Sequence, residues 1–272
     1  MLKFKNNFKD CLIFIGSKIN HIFSRDNGDR VIALHDVPSI DVFREKMTWL
    51  KSNYSLVSID AILSSKPPGS KKRILLTFDD GYENWLTNAA PVLRELHVPA
   101  IFFVNSGLIN LDGLNESIFL KDKLLRKQSI KLISMKSLIE LSRDPLFEIG
   151  GHSENHLNLA GIKSDEELYG EIAGDKLRLE GIIGKEIRWF AYPFGGIHHF
   201  NGNVAKVVKL AGYVGAFTIL PSNFNYAGDK FKFGRDCLEL GDSEANWSRR
   251  LNGGYDKLAK IYANISEYGR KR

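Results

Sequence analysis

Residues 74–82 read ILLTFDDGY, an apolar run that ends abruptly on two adjacent carboxylates, Asp79 and Asp80, and a glycine. The run predicts a buried β-strand that carries acidic side chains to its own end. Neighbouring side chains of an extended chain point to opposite sides, so the two carboxylates can address one site from two directions. A loop opening or a helix N-cap would explain two such acids equally well, so a second motif has to decide between these interpretations.

That second motif is GGHSENH at residues 150–156, which again follows an apolar run directly. His152 and His156 are four residues apart, a spacing with which two neutral imidazoles can bind one metal ion. A lone pair of this kind is more often a structural feature. A carboxylate pair and a histidine pair, each at a strand end, favour a shared site instead. Two histidines and one carboxylate leave coordination positions open, which is typical of catalytic rather than structural metal sites.

A third apolar strand, RWFAYPFGG at residues 188–196, ends in a Pro-x-Gly turn. In this order, TFDDG at 77–81, HSENH at 152–156 and YPFG at 192–195 resemble the first three motifs of the polysaccharide deacetylases, a group of carbohydrate esterases. The resemblance spans about residues 31–240. It implies a metal-dependent hydrolase that removes an N-acetyl group from an amino sugar of a surface glycan or of its precursor.

The resemblance also implies a role for individual residues. Asp79 is the expected general base, and the backbone N–H of Tyr192 is expected to help stabilise the oxyanion. The expected ligands of one divalent metal, zinc first with cobalt or nickel as alternatives, are Asp80, His152 and His156. The expected substrate-binding residues are Pro193, Phe194 and Gly195. Such an ion would polarise an amide carbonyl and lower the pKa of a bound water.

Two features depart from the family pattern. Family members often carry an arginine two residues before the proline of the third motif, where this chain has Ala191. Arg235 is a candidate substitute, although an ordinary surface arginine explains it equally well. The usual late histidine that acts as general acid is also missing. His35, at the end of the apolar stretch 31–34, is the best replacement, with a histidine packed at a strand end as the structural alternative.

Apolar periodicity alternates between strand and helix patterns along the chain, which predicts a parallel α/β sheet. Ser39 and Ser164 are predicted helix N-caps, a helix over 83–96 is expected to kink at Pro91, and a helix is expected over about 243–268. Closure into an irregular (β/α) barrel of about seven parallel strands is what the resemblance adds. In such folds the strand carboxyl ends build the site, and all three motifs lie at such ends.

Composition indicates one sizeable domain, which we place at residues 30–272, after an amphipathic helix and linker at 1–29; the resemblance implies that it is the catalytic domain. The chain has 272 residues, of which 43% are hydrophobic and 26% charged, enough for one sizeable core. The net charge of +6 suits an anionic partner, but the charges are spread along the chain, so we expect no nucleic-acid binding. Cys11 and Cys237 are too few for a disulfide framework and suit a reducing compartment.

The N-terminal segment decides the expected location. Its apolar run at 11–16 is too short for a signal peptide or a membrane span, so a cytoplasmic protein is expected. Apolar residues of 1–24 recur at three- and four-residue steps and form one helix face. This face either packs on the domain or makes a peripheral membrane contact; the two interpretations are equally open.

Rival functions remain open at this point. A mononuclear iron oxygenase also uses two histidines and one carboxylate, but has no need of the adjacent Asp79. A non-catalytic sugar-binding member of the same fold would explain the missing arginine and late histidine. A deformylase, or another amide hydrolase acting on a sugar, is a further alternative.

Overall fold

The computed structural model describes residues 28–64, 71–110, 131–225, 227–259 and 261. The predicted amphipathic helix at 1–24 lies outside these residues, so its interpretation stays a prediction. Asp29, assigned above to the linker, is buried, and its carboxylate accepts hydrogen bonds from the backbone and side chain of Arg73. Within the described ranges, no helix combines the length and the apolar character needed to cross a bilayer.

Parallel strands form the centre of the molecule, and they lie in the order β7-β6-β5-β4-β3-β1-β8, with β2 beside the start of β3. The strands are β1 (Arg30–Leu34), β2 (Ser55–Leu56), β3 (Arg73–Phe78), β4 (Ala100–Val104), β5 (Phe147–Gly151), β6 (Trp189–Ala191), β7 (Gly215–Phe217) and β8 (Asp236–Cys237). The stretch that opened the sequence analysis is thus β3, near the middle of the sheet.

Residues 233–237 close the sheet into an irregular barrel. Phe233 forms a parallel bridge with Phe217 of β7, and its carbonyl accepts the N–H of Thr218. Only three residues later, Asp236–Cys237 pair with β1 at the other edge. One short segment therefore joins both edges of the sheet. The predicted α/β barrel with about seven parallel strands is confirmed.

Helices pack around this sheet. They are α1 (Ile40–Asn53), α2 (Ile59–Leu63), α3 (Ala90–Leu96), α4 (Met135–Arg143), α5 (Asp165–Tyr169), α6 (Asp175–Ile183), α7 (Gly202–Leu210) and α8 (Glu244–Leu251). Both predicted N-caps are confirmed: the Ser39 hydroxyl accepts the N–H of Val42, and the Ser164 hydroxyl accepts the N–H of Glu167. These bonds satisfy donors that the first helical turn leaves unpaired.

Two helix predictions need correction. The helix expected over 83–96 consists of two parts. It starts as a π-helical turn, Trp85–Ala89, and continues as α3, with Pro91 in the first turn of α3. The helix expected over 243–268 is interrupted: α8 ends at Leu251, the chain turns at Gly253, where φ is +80°, and helical residues resume at 256–259. Glycine tolerates this left-handed conformation better than other residues.

Both faces of the sheet are apolar, and strand alternation decides which side chains enter the barrel. The inner cluster contains Val31, Leu75 and Ile101, whereas their neighbours Ile32 and Leu76 face the helices. Since side chains two residues apart share a face, β3 presents Thr77 and then Asp79 to the interior. The carboxylate of Asp79, the predicted general base, therefore lies at the top layer of a packed barrel core.

Candidate active site

The predicted polar residues converge where the strands end. Asp79 and Asp80 follow β3, His152 follows β5, His35 follows β1, and Arg235 precedes β8. Because parallel strands all point the same way, their carboxyl ends open on one face of the barrel. Residues far apart in sequence therefore share one site at that face.

Asp80, His152 and His156 form a buried cluster whose ligand atoms all lie within 4.8 Å of one another. Oδ1 of Asp80 lies 3.5 Å from Nε2 of His152 and 3.3 Å from Nε2 of His156. Burial alone would raise the pKa of Asp80, but contacts with the two imidazoles and the charge of His35 hold it well below the usual range. The carboxyl is therefore ionised and can act as a ligand.

The donor set fits a divalent ion. Nδ1 of His152 lies 2.7 Å from the carbonyl oxygen of Ala191, so Nδ1 carries a proton and Nε2 is the ring nitrogen on the side of Asp80. Such a carbonyl partner is the usual device that fixes the orientation of a metal-ligating histidine. One carboxylate and two imidazoles form an open donor set of the kind found in catalytic zinc sites.

Backbone strain is concentrated around this cluster. Among the described residues, six that are not glycine have positive φ, and four of them belong to the site: Asp80 (84°), Ser153 (62°), His156 (51°) and Phe194 (60°). A non-glycine residue pays of order 1–3 kcal/mol for such a conformation, and these conformations collect at functional sites. The surrounding structure must hold these side chains in place against that cost.

Asp79 is held by a buried arginine. Its two carboxylate oxygens accept hydrogen bonds from the two terminal nitrogens of Arg235, each at 2.7 Å. Arg235 is fully buried and is itself fixed by the carbonyl of Thr218 at 3.0 Å and the hydroxyl of Thr77 at 3.0 Å. Burial raises the pKa of Asp79, but the charge and hydrogen bonds of Arg235, together with the charges of His152 and His35, leave the pKa below its ordinary value. The structure thus brings Arg235 to the carboxylate that it was predicted to orient.

His35 also lies at this face. Its backbone carbonyl accepts the indole N–H of Trp85 at 2.8 Å, which fixes the end of β1. Burial lowers the pKa of His35, but the neighbouring thiol of Cys237 and the charges of Asp80 and Asp79 raise it to about 10. An imidazole in this environment keeps its proton at neutral pH.

Three residues that support the cluster were missed by sequence reasoning. The hydroxyl of Tyr82 donates to Oδ2 of Asp80 at 3.0 Å. The side-chain amide of Asn105 donates to the carbonyls of His152 and Ser153. Asn105 follows β4, so the strand-end rule could have found it, and Tyr82 adjoins the acidic motif.

The third is Asp175, at the start of α6, which no sequence pattern indicated. Its carboxylate accepts the N–H of His152 at 3.0 Å and the N–H of Ser106 at 2.8 Å. Burial raises the pKa of Asp175 to about 7, although its hydrogen bonds from Ser106 act in the opposite direction. Asp175 therefore ties α6 to the ends of β4 and β5, and so fixes the backbone of a predicted metal ligand.

A glycine leaves room for this tie. We expect Gly151→Ala to destabilise the protein by about 1–3 kcal/mol, the usual cost of overpacking a core. An added Cβ would lie 2.2 Å from the hydroxyl of Tyr213 and 2.7 Å from Oδ2 of Asp175. Gly181→Ala, inside α6 with no atom within 4 Å of the added Cβ, is the control and should be neutral or stabilising by up to about 1 kcal/mol. Urea unfolding of both variants and of the parent protein checks this prediction. A Gly151→Ala protein as stable as the parent protein would contradict it.

The third motif requires three corrections. The N–H of Tyr192 donates to the carbonyl of Phe217 at 3.0 Å, so it belongs to the sheet and is not free for an oxyanion. The Tyr192 ring is buried, and its hydroxyl donates to the carbonyl of Phe231. Pro193 and Gly195, which were predicted to bind substrate, are also buried. Only Phe194 of the predicted substrate-binding residues exposes its side chain, at 38%.

Comparison with known sequences identifies the family. The sequence model of the family described as polysaccharide deacetylase matches residues 66–216, more than half of the chain. The chain belongs to the polysaccharide deacetylase family. The match includes the acidic, histidine and Pro-x-Gly motifs, so the resemblance inferred from these motifs is confirmed.

Two relatives and one solved structure show which proteins this polysaccharide deacetylase is similar to. YxkH of Bacillus subtilis is 26% identical over 183 residues, which are 66% of this chain but only 57% of YxkH. The poly-β-1,6-N-acetyl-D-glucosamine N-deacetylase of Staphylococcus epidermidis is 25% identical over 239 residues, which are 81% of this chain and 76% of that protein. The solved structure of IcaB from Ammonifex degensii has a TM-score of 0.65 at 20% identity and covers 85% of this chain and 98% of IcaB. At that identity the structural likeness shows the fold.

Proposed function

We propose that this protein is a metal-dependent N-deacetylase of a surface polysaccharide, and that a polymer of β-1,6-linked N-acetylglucosamine is the first substrate to test. Family membership supports a deacetylase, and the name of the Staphylococcus epidermidis relative supports the polymer. The observation that carries the proposal is a carboxylate, Asp79, held in bidentate fashion by Arg235 directly beside the cluster of Asp80, His152 and His156.

The cluster and Asp79 divide the work. A divalent ion held by Asp80, His152 and His156 would supply a Lewis acid that polarises the amide carbonyl and makes water more acidic. Asp79 takes the proton of the water that attacks the acetyl carbon. Arg235 keeps the carboxylate ionised and fixes its orientation, because both of its oxygens are held at 2.7 Å. Zinc is the proposed ion, with cobalt and nickel as substitutes.

His35 is the proposed general acid. The amine that leaves when the amide bond breaks needs a proton, and a histidine that stays protonated at neutral pH can donate it. The effect of Asp79, Asp80 and Cys237 on the pKa of His35 supports this role. Its place at the end of β1, on the same face as Asp79, supports it independently.

A different N–H is proposed as the oxyanion donor in place of the N–H of Tyr192. Pro193 has no N–H, so the next donor along the turn belongs to Phe194, whose ring packs against His156 with centroids 4.5 Å apart. We assign the oxyanion donor to the N–H of Phe194. Where such donors have been removed from other enzymes, about 3 kcal/mol of transition-state stabilisation was lost.

The cytoplasmic location and the membrane contact of residues 1–24 stay predictions.

Acetate release after metal removal and refilling tests the proposal. We expect the chelated protein to lose activity on β-1,6-linked N-acetylglucosamine oligomers, and zinc, cobalt or nickel to restore it. Acetate should appear in proportion to new free amines, because each broken amide bond yields one of each. Protein that holds metal yet releases no acetate would contradict the proposal and favour a sugar-binding protein. A product that requires oxygen would favour the iron oxygenase.

A further inference from the structure

An aromatic row leads from the metal cluster to the protein surface. The rings of His152 and His156 have centroids 5.1 Å apart, those of His156 and Phe194 4.5 Å, and those of Phe194 and His199 5.1 Å. The histidines at the inner end are buried, whereas Phe194 is 38% exposed and His199 is partly exposed. The row therefore continues beyond the residues that the proposed chemistry uses.

The backbone and ring of His199 are both fixed. Its N–H donates to the carbonyl of Gly196 at 2.9 Å, and its own carbonyl accepts the N–H of Ala160 at 3.3 Å. Its Nδ1 accepts the N–H of Gly196 at 3.2 Å. A Cβ at Gly196 would lie 3.0 Å from that Nδ1, so glycine leaves the space that the ring occupies.

This hydrogen bond determines what His199 can offer a ligand. An Nδ1 that accepts a hydrogen bond carries no proton, so the neutral ring carries its proton on Nε2 and donates from there. Burial lowers the pKa of His199, and the neighbouring His198 and His156 lower it further, which agrees with a neutral ring. His199 thus presents a donor of fixed tautomer beside the exposed ring of Phe194.

The combination matches a sugar ring. The face of an aromatic ring carries partial negative charge and attracts the C–H groups of a pyranose, while a fixed N–H donor suits a hydroxyl or an acetyl oxygen. We propose that Phe194 and His199 form a subsite for the sugar next to the one that is deacetylated, with the Nε2–H of His199 donating to an oxygen of that neighbouring sugar. This inference rests on the proposed function and deepens it, because such a subsite favours a polymer over a single sugar.

Chain-length dependence of acetate release tests the subsite. The substrates are β-1,6-linked N-acetylglucosamine oligomers of one to five rings and 4-methylumbelliferyl acetate, whose acetyl group is attached to no sugar. We expect His199→Ala in the zinc-loaded full chain to raise KM for the longer oligomers about 10-fold, the effect of one lost hydrogen bond, at nearly unchanged kcat. His199→Gln, which keeps an N–H donor, should recover part of this loss. Hydrolysis of the ester should not change.

The exposed neighbour His198 provides the matched control, and His198→Ala should stay within about twofold of the parent protein. If His199→Ala reduces activity equally on the ester and on all oligomers, or changes no KM, the subsite is overturned.

Binding of the pentamer to zinc-loaded Asp79→Asn protein separates the subsite proposal from the proposed deacetylase function. Tight binding that His199→Ala weakens supports the subsite even where the parent protein releases no acetate, and binding that it leaves unchanged overturns the subsite.

Discussion

Asp79→Asn is expected to lower kcat for acetate release about 10³-fold, within the range usual for loss of a general base, while the metal content stays unchanged. An amide cannot take the proton of the attacking water, but it keeps the shape of the carboxylate. Asp79 is not one of the three residues, Asp80, His152 and His156, whose ligand atoms lie within 4.8 Å of one another. Acetate assays and elemental analysis on the same preparation measure both quantities.

Stability must be followed in the same variant. Arg235 is fully buried, and the loss of its partner charge leaves a buried guanidinium without a counterion, at a cost of about 3–5 kcal/mol in comparable pairs. We therefore expect a lower melting temperature for Asp79→Asn than for the parent protein. Acetate release should be measured at a temperature below the melting temperatures of both proteins. Normal turnover in a folded, metal-loaded Asp79→Asn protein would rule out Asp79 as the base.

His152→Ala is expected to abolish both metal binding and acetate release. The cluster loses one of its three donors, and a Lewis acid contributes several kcal/mol of transition-state stabilisation, equivalent to about 10³-fold or more in rate. The pattern differs from that of Asp79→Asn, which retains metal. Zinc content after dialysis and kcat on the pentamer distinguish the two variants.

His97→Asn is the control for the loss of a histidine. His97 is exposed at the carboxyl end of α3, before β4, and so lies at the opposite end of the barrel from the strand carboxyl ends. Its φ is +53°, a conformation that asparagine tolerates, so this variant should keep its metal and its activity. Retention of stoichiometric zinc by His152→Ala would contradict the assignment of the metal site.

The sequence by itself determined the residues whose place follows from local rules. An apolar run that ends on polar residues predicts a buried strand with its site at the carboxyl end, and this rule located Asp79, Asp80 and His152. The caps at Ser39 and Ser164 follow from hydrogen bonds that span three residues. Each of these features depends on neighbours in the chain, so a single sequence carries the information.

Predictions from the sequence were wrong where a residue of a local motif contacts a residue far away in the chain. The N–H of Tyr192 looked available within its turn, but the carbonyl of Phe217 in β7 takes it. Pro193 and Gly195 were predicted to bind substrate, yet both are buried. Strand pairing across the sheet cannot be seen from a turn motif, because the competing acceptor comes from another part of the chain.

Only the tertiary structure decided how the site is supported. Arg235 was a guess among surface arginines until closure of the barrel brought residues 233–237 between β7 and β1 and placed the guanidinium on Asp79. Asp175 had no signal at all, because a buried acid on a helix resembles a solvated one in sequence. The metal-ligand candidates can therefore be predicted from the local sequence pattern of strands and turns. The groups that hold and orient them come from barrel closure and helix packing, which depend on contacts between residues far apart in the chain.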